Sequence, residues 1–432
     1  MKIYKYPQKE QWDEISSRPR LDLKQLNATV ATVLNDIKAR GDEAVREYEL
    51  KFDKASLTDL AVTEAEMDEA ETLVSNELRD AIILAHHNIK VFHLSQRFVG
   101  QKVKTQEGVT CWQKSVAIER VGLYIPGGTA PLFSTVLMLA TPAKIAGCRE
   151  IVLCTPPNRE GKVNPAILVA ARIAGVSKIF KIGGVQAIGA MAYGTESVPK
   201  VFKIFGPGNQ YVQCAKQLVS LSDVAIDMPA GPSEVCVVAD ETANPAFVAA
   251  DLLSQAEHGV DSQVLLITTS PTLLDSVQKE IDMQLAQLPR RDIAAAALEN
   301  SRSVLVHTAD EAIALSNRYA PEHLIIETAD AEALAKKVTN AGSVFIGHLT
   351  PESAGDYASG TNHTLPTNGY ATAYSGVNLD TFCRKITYQH ISPEGIRSIS
   401  RAVELMAAAE HLDAHRNAMK LRREGTHPQP LP

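Results

Sequence analysis

The sequence predicts an α/β protein built from two related domains, each a parallel sheet with helices on its faces. Three observations lead there. From Val121 onward, short β-rich runs alternate with helical runs, the pattern that produces parallel sheets. A strand, Asn-Pro-Ala, helix, Gly, strand series occurs twice, within 151–182 and within 234–268. The chain has 432 residues, more than one core usually serves.

The elements follow in order. From Lys24 to about Phe98 the pattern is helical, with Leu26, Val30, Val33, Leu34 and Ile37 three and four apart. Gly41-Asp42 separates two helices, and Thr63 to Phe98 forms a further helical stretch with at least one break. Ile151–Cys154 reads as a buried strand. Asn164-Pro165 then supplies a cap and a first helical residue, and Gly175 ends that helix. A strand at 178–182, a short helix to Gly194, a strand at 200–205 and a helix from Gln210 follow. In the second series, Glu234–Ala239 is a strand, Asn244-Pro245 starts a helix stopped by Gly259, and Val264–Thr268 is a strand. Asn164 to Gly175 spans 11 positions and Asn244 to Gly259 spans 15, a difference of about one helical turn. Further strands are expected at 303–306, 323–326 and 343–346, and helix from Pro393 to Leu421. The Pro-rich tail from Glu424 to Pro432 reads as disordered.

Composition narrows the function classes. With 45% hydrophobic and 22% charged residues, a net charge of −7 and no dense Lys/Arg stripe, the chain is a poor partner for nucleic acid or an anionic membrane. No run approaches the ~20 apolar residues of a membrane span, and the polar start, Met1 to Leu21, has no secretory core. The six cysteines show no CxxC spacing, which suits a reducing cytoplasm.

Several residue groups have the chemistry of a site. Gln255 and His258, three apart at the end of a helix, offer an amide oxygen and an imidazole to a metal; the same spacing also occurs on ordinary helix surfaces. Glu322-His323, after Pro321, puts two acid/base groups at the opening of a strand. Ala354-Gly355-Asp356 and the loop Ser359 to His363 combine small residues with a carboxylate and an imidazole. Glu410 and His415 are five apart, so either the helix ends between them or they face different neighbours. No GxGxxG follows a strand. Three Gly-rich turns remain, holding Tyr124, Gln186 and Asn209; two of them join a strand to a helix, where parallel sheets bind ligands.

The stretch Ile226 to Val235, IDMPAGPSEV, resembles the signature segment of the histidinol dehydrogenase family. RVGLYIPGGTAPLFSTVLMLATPA, GGVQAIGAMAYGT, FGPGNQYV, LLSQAEHG, APEHL, ESAGDYASGTNHTLPT and AEHLDAHRNA resemble it in the same order, over Arg120 to Ala418. The resemblance implies two Rossmann-like parallel-sheet domains, incomplete in lacking GxGxxG, plus small N-terminal and C-terminal helical extensions. The expected division is 1–23, then 24–123 with 233–377 as the larger domain holding the catalytic and metal site. Residues 124–232 form the NAD-side domain, and 378–432 an extension that reaches the partner subunit.

It also implies an oxidation of L-histidinol through L-histidinal to L-histidine with two NAD, in a cytoplasmic homodimer with one Zn2+ per subunit. Gln255, His258, Asp356 and His415 would hold the zinc. His323 would be the general base, and Glu322 would activate the water that attacks the aldehyde. Ser233, His363 and Glu410, with Gln255, His258, His323, Asp356 and His415, would contact substrate. Tyr124, Gln186 and Asn209 would contact NAD. Glu410 and His415 would act across the dimer interface. The nearest alternative is a relative that oxidises another polar alcohol, such as a sulfonated diol. A zinc hydrolase shares zinc and a Glu base but has no use for the NAD turns, and a non-catalytic metal-binding protein has no use for Glu322-His323.

Overall fold

The computed structural model describes residues 1–18, 23–127 and 130–425. Its strands are β1 (Lys2–Lys5), β2 (Val103–Gln106), β3 (Val109–Ala117), β4 (Arg120–Tyr124), β5 (Glu150–Thr155), β6 (Lys178–Lys181), β7 (Lys203–Phe205), β8 (Ala225–Ile226), β9 (Glu234–Ala239), β10 (Gln263–Thr268), β11 (Arg302–Leu305), β12 (His323–Glu327), β13 (Ser343–Ile346) and β14 (Cys383–Ile391). The chain divides into two compact units, one of 1–96 with 118–382, the other of 97–117 with the chain from Cys383.

The first unit contains two parallel sheets, ordered β6-β5-β4-β7-β8 and β1-β11-β10-β9-β12-β13. Counted from β4 in one and β9 in the other, both read third, second, first, fourth, fifth, with β1 added at one edge. The internal repeat is therefore real, but its register differs from the one the Asn-Pro starts suggest. The helix Pro165–Ala174 joins the second and third strands of its sheet, whereas Pro245–Ala256 joins the first and second. The topological counterpart of Pro245–Ala256 is Phe133–Ala146, which has no side-chain cap. Asn-Pro marks any helix start that needs one: Asn164 Oδ1 accepts from Ala166 N (2.9 Å) and Asn244 Oδ1 from Ala246 N (3.0 Å).

Both sheets are buried on two faces, as parallel sheets are. Along β9 the two-residue period sends Val235, Val237 and Ala239 into one core and Cys236 and Val238 into the other. The first core packs against the helices Pro245–Ala256, Pro271–Leu285 and Arg291–Glu299; the second takes in Ala309–Tyr319 and the N-terminal Tyr4, Trp12 and Ile15. The N-terminal segment is thus more than an appendage, since β1 pairs in parallel with β11. The other sheet packs Val152, Cys154, Phe180 and Ile204 against the helices Leu23–Arg40, Gly184–Tyr193 and Gln210–Ser220.

The second unit holds the antiparallel sheet β14-β3-β2 and two helices, Pro393–Ala409 and Asp413–Gly425. The C-terminal extension is therefore not purely helical. β14 and β3 alternate polar with apolar residues and lie half open to solvent, so they lack the continuous apolar run that marks a buried strand. Glu424 lies within the last helix rather than in a disordered tail; residues 426–432 lie outside the described residues. No helix of the described residues is long and apolar enough to cross a membrane.

Candidate active site

The expected catalytic pair lies at the amino ends of β9 and β12. Ala320 adopts a left-handed turn (φ 50°) that ends the preceding helix, and His323 opens β12 opposite Val235. Glu322 Oε2 accepts from Glu234 N (3.0 Å) and from Gln255 Nε2 (3.3 Å), so backbone and side chain both fix the carboxylate. The His323 ring lies among three acids. Its Nδ1 is 3.6 Å from Glu352 Oε1 and 3.7 Å from Glu322 Oε2; its Nε2 is 3.4 Å from Asp356 Oδ1. Burial alone would lower the pKa of this imidazole, but Glu352, Glu322 and Asp356 together push it up to about 10. Burial pushes Glu322 up to about 8, against the opposing pull of His323.

Gln255 and His258 are arranged differently from expectation. The helix ends at Ala256, not at Gly259, so the two do not share a helical face; His258 follows in a turn, its N donating to Gln255 O (3.3 Å). Gln255 is buried, while His258 is exposed at the mouth of the site. Enough protein still surrounds the His258 ring to hold its pKa down, with Asp356 pulling the other way. Asp356 sits on the short helix Glu352–Tyr357, which packs on Pro245–Ala256. Gly355 lets the same helix lie close against β13: a Cβ there would lie 2.6 Å from the Phe345 ring.

Gln255 Oε1, Asp356 Oδ1, Glu352 Oε2 and His323 Nε2 are buried without hydrogen-bond partners. Orphaned buried polar atoms are costly, roughly 1–3 kcal/mol each, so a cluster of them fits a cation or ligand. Carboxylate and amide oxygens with imidazoles are a donor set zinc accepts. The tightest cluster of ligand atoms among the described residues is His323, Glu352 and Asp356, all within 4.8 Å. It shares only Asp356 with the expected zinc set and adds Glu352, which the sequence reading did not single out. The signal was present: Glu352 precedes Asp356 by four positions, one helical turn.

His363 links the two sheets. Its Nδ1 is 2.8 Å from Asp356 O and its Nε2 3.0 Å from Thr135 Oγ1, in the helix that follows β4. Next to it, Asn362 Nδ2 donates to Met138 O (2.6 Å) in that same helix. Ser233 directly precedes β9, its carbonyl accepting from Gln263 N. Glu410 and His415 belong to the second unit, and the helix does end between them. Glu410 caps Pro393–Ala409, His411 is left-handed (φ 58°), and His415 lies in the first turn of Asp413–Gly425; both are exposed.

The three Gly-rich turns all lie at carboxyl ends of the β4–β8 sheet. Tyr124 closes β4, and its hydroxyl accepts from Gly184 N (3.1 Å). Gln186 lies buried in the first turn of Gly184–Tyr193. Asn209, exposed, caps Gln210–Ser220 by accepting from Tyr211 N and Val212 N. A cysteine nucleophile finds no support: burial pushes the Cys236 thiol up to about 12 and Cys154 further still.

Twin parallel sheets, Gly-rich turns at the carboxyl ends of one and a buried Glu-His pair at the amino ends of the other are the framework of an α/β protein, and its relatives make it an NAD-dependent oxidoreductase. The family model for histidinol dehydrogenase matches residues 16–423. The histidinol dehydrogenase of Bacteroides thetaiotaomicron is 69% identical over 98% of this chain and 99% of its own, and that of Escherichia coli K12 51% identical over 96% and 95%. The crystal structure of histidinol dehydrogenase from Elizabethkingia anophelis superposes with a TM-score of 0.96, at 53% identity over 98% of both chains. The chain belongs to the histidinol dehydrogenase family, whose activity is a step of histidine biosynthesis.

Proposed function

We propose that this protein oxidises L-histidinol through L-histidinal to L-histidine at one site, with zinc and two NAD. The observation that carries the reading is the group of orphaned donors, Gln255 Oε1 and Asp356 Oδ1, beside the buried Glu322-His323 pair. Gln255, His258 and Asp356, with His415 from the partner of a homodimer, would hold the metal, which would supply a Lewis acid to orient the substrate. Tyr124, Gln186 and Asn209 would hold NAD, which would supply the hydride acceptor for each oxidation.

The chain's own residues do the proton work. His323 takes the carbinol proton at the ring nitrogen facing Asp356, and the carboxylates of Glu352, Glu322 and Asp356 around the ring stabilise the imidazolium that results. Glu322 is fixed by Glu234 N and Gln255 Nε2, so its remaining oxygen is free to orient a water for attack on the aldehyde. Ser233, His363 and Glu410 contact substrate, and keeping both steps in one site stops a reactive amino-aldehyde from escaping. The reducing cytoplasm is the compartment that suits a chain with four buried thiols.

The test is the NADH yield on mixing protein, L-histidinol, NAD and zinc. About two NADH per histidinol, abolished by chelator and restored by zinc, is the expected result. No NADH from histidinol sinks the substrate assignment, and chelator-insensitive turnover sinks the metal.

A further inference from the structure

A cavity of about 510 Å³ opens beside the Gly183-Gly184 turn, in the usual size range of small-molecule sites. Its lining includes Gly127, Pro156, the cations Arg159 and Lys162, and the carboxylates Asp53, Glu66 and Glu69. Asp53 ends an irregular helical turn, Glu49–Asp53, and a second acid from that turn, Glu49, is fully buried behind it.

Helix N-termini usually offer free N–H groups to a phosphate. This one does not. Gly183 N donates to Glu49 Oε1 (2.8 Å), and Gly184 N to the Tyr124 hydroxyl (3.1 Å). Gln186 Nε2 donates to Glu49 Oε1 (2.7 Å) and Asp53 Oδ2 (3.3 Å), while Gln186 Oε1 is buried with no partner. Burial raises the pKa of both acids, Glu49 to about 8, and the charge of Asp53 adds to the rise at Glu49, whereas a hydrogen bond from Glu49 holds Asp53 down. A further negative group is therefore unwelcome here, whereas a hydroxyl donor suits Asp53, which lines the cavity. Gly183 keeps the gap narrow: a Cβ there would lie 2.9 Å from Asp53 Oδ2 and 2.7 Å from Pro156 Cβ.

We infer that Asp53, backed by Glu49, receives the ribose diol of the adenosine half of NAD and makes this site reject a 2′-phosphorylated dinucleotide. The inference rests on reading the Gly183 turn as the dinucleotide side. A carboxylate on the 2′-hydroxyl performs the same discrimination in the common dinucleotide fold, at a different position. The opposing feature is Arg159, a cation on the same cavity; Lys162 is tied to Glu69 at 2.8 Å.

Calorimetric titration with 5′-AMP and with adenosine 2′,5′-bisphosphate tests the assignment, because the probes differ only by the 2′-phosphate. In the unmodified protein the bisphosphate is expected to bind at least ~10-fold more weakly, the equivalent of about 1.4 kcal/mol. In Asp53→Asn that gap is expected to shrink below roughly threefold, with NAD and NADP showing the same convergence. Equal or tighter binding of the bisphosphate by the unmodified protein overturns the inference and gives the cavity to Arg159, whether or not the variant folds. A full gap retained in a natively melting Asp53→Asn also overturns it. Failure of AMP and NAD alike to bind removes the dinucleotide reading itself.

Discussion

The two sheets of the first unit share a strand order yet present opposite ends to the site. The β4–β8 sheet gives its carboxyl ends: Tyr124 closes β4, the Gly183 turn follows β6 and Asn209 follows β7. The β9–β13 sheet gives its amino ends: Ser233 precedes β9, His323 opens β12, and the helix Pro245–Ala256 runs back to bring Gln255 to Glu322. On the proposed function, the carboxyl-end rule for ligands holds in one copy and fails in the other. One copy would keep the nucleotide role of the topology. The other keeps only the scaffold, and its chemistry comes from the positions where strands begin. Because a carboxyl end meets an amino end, the His363–Thr135 contact ties them together.

If this division is right, changes at the two sheets separate. The largest effect is expected from His323→Gln, with kcat lowered by roughly 10²–10⁴-fold and NAD affinity unchanged by calorimetry. A matching loss of NAD affinity would break the division. Glu322→Gln should come next, at about 10²-fold in the oxidation of histidinal and far less in that of histidinol; equal loss in both halves, assayed separately, would remove its role with water. Gln186→Ala, on the other sheet, should weaken NAD by roughly tenfold and leave metal content by mass spectrometry unchanged.

The smallest effect belongs to the end of the β9–β13 sheet that carries no site. Burial pushes Glu327, at the carboxyl end of β12, up to about 8, and Asp251, on the helix Pro245–Ala256 and bonded to the Glu352 backbone, up to about 7. Both carry protons in the fold where the unfolded chain would have released them. Their contribution to stability is thus present below pH ~4 and is lost as pH rises through 7 to 8. Melting in chelator at pH 5.5 and 8.5 should show a fall that Glu327→Gln reduces by about 2–4 °C. An unchanged difference would mean that Glu327 ionises freely in the fold.

This asymmetry also explains what could be read from the sequence. Apolar runs and Gly stops gave most strands of the doubly buried sheets, β9 to the residue, because burial on both faces leaves continuous Val, Ile and Leu; β4, interrupted by Gly122, and the two-residue β8 were not delimited. The half-exposed β14 and the edge strand β1 lack that run and were invisible. Family motifs carried the site residues, since Gln255, Asp356 and Glu322 meet only through long-range packing. Glu352, Thr135 and Asp53 went unnoticed because each acquires a role from a neighbour more than 25 positions away.

The pairing of β1 with β11 places Lys2 opposite Arg302, 300 positions later in the chain. At about 5–20 residues per second of synthesis, the first strand waits on the order of 15–60 s for its partner to be made. Tyr4, Trp12 and Ile15 spend that interval without the sheet that buries them. The edge strand is thus made before every other strand of its sheet, so the nascent chain carries an exposed aromatic segment until β11 is made.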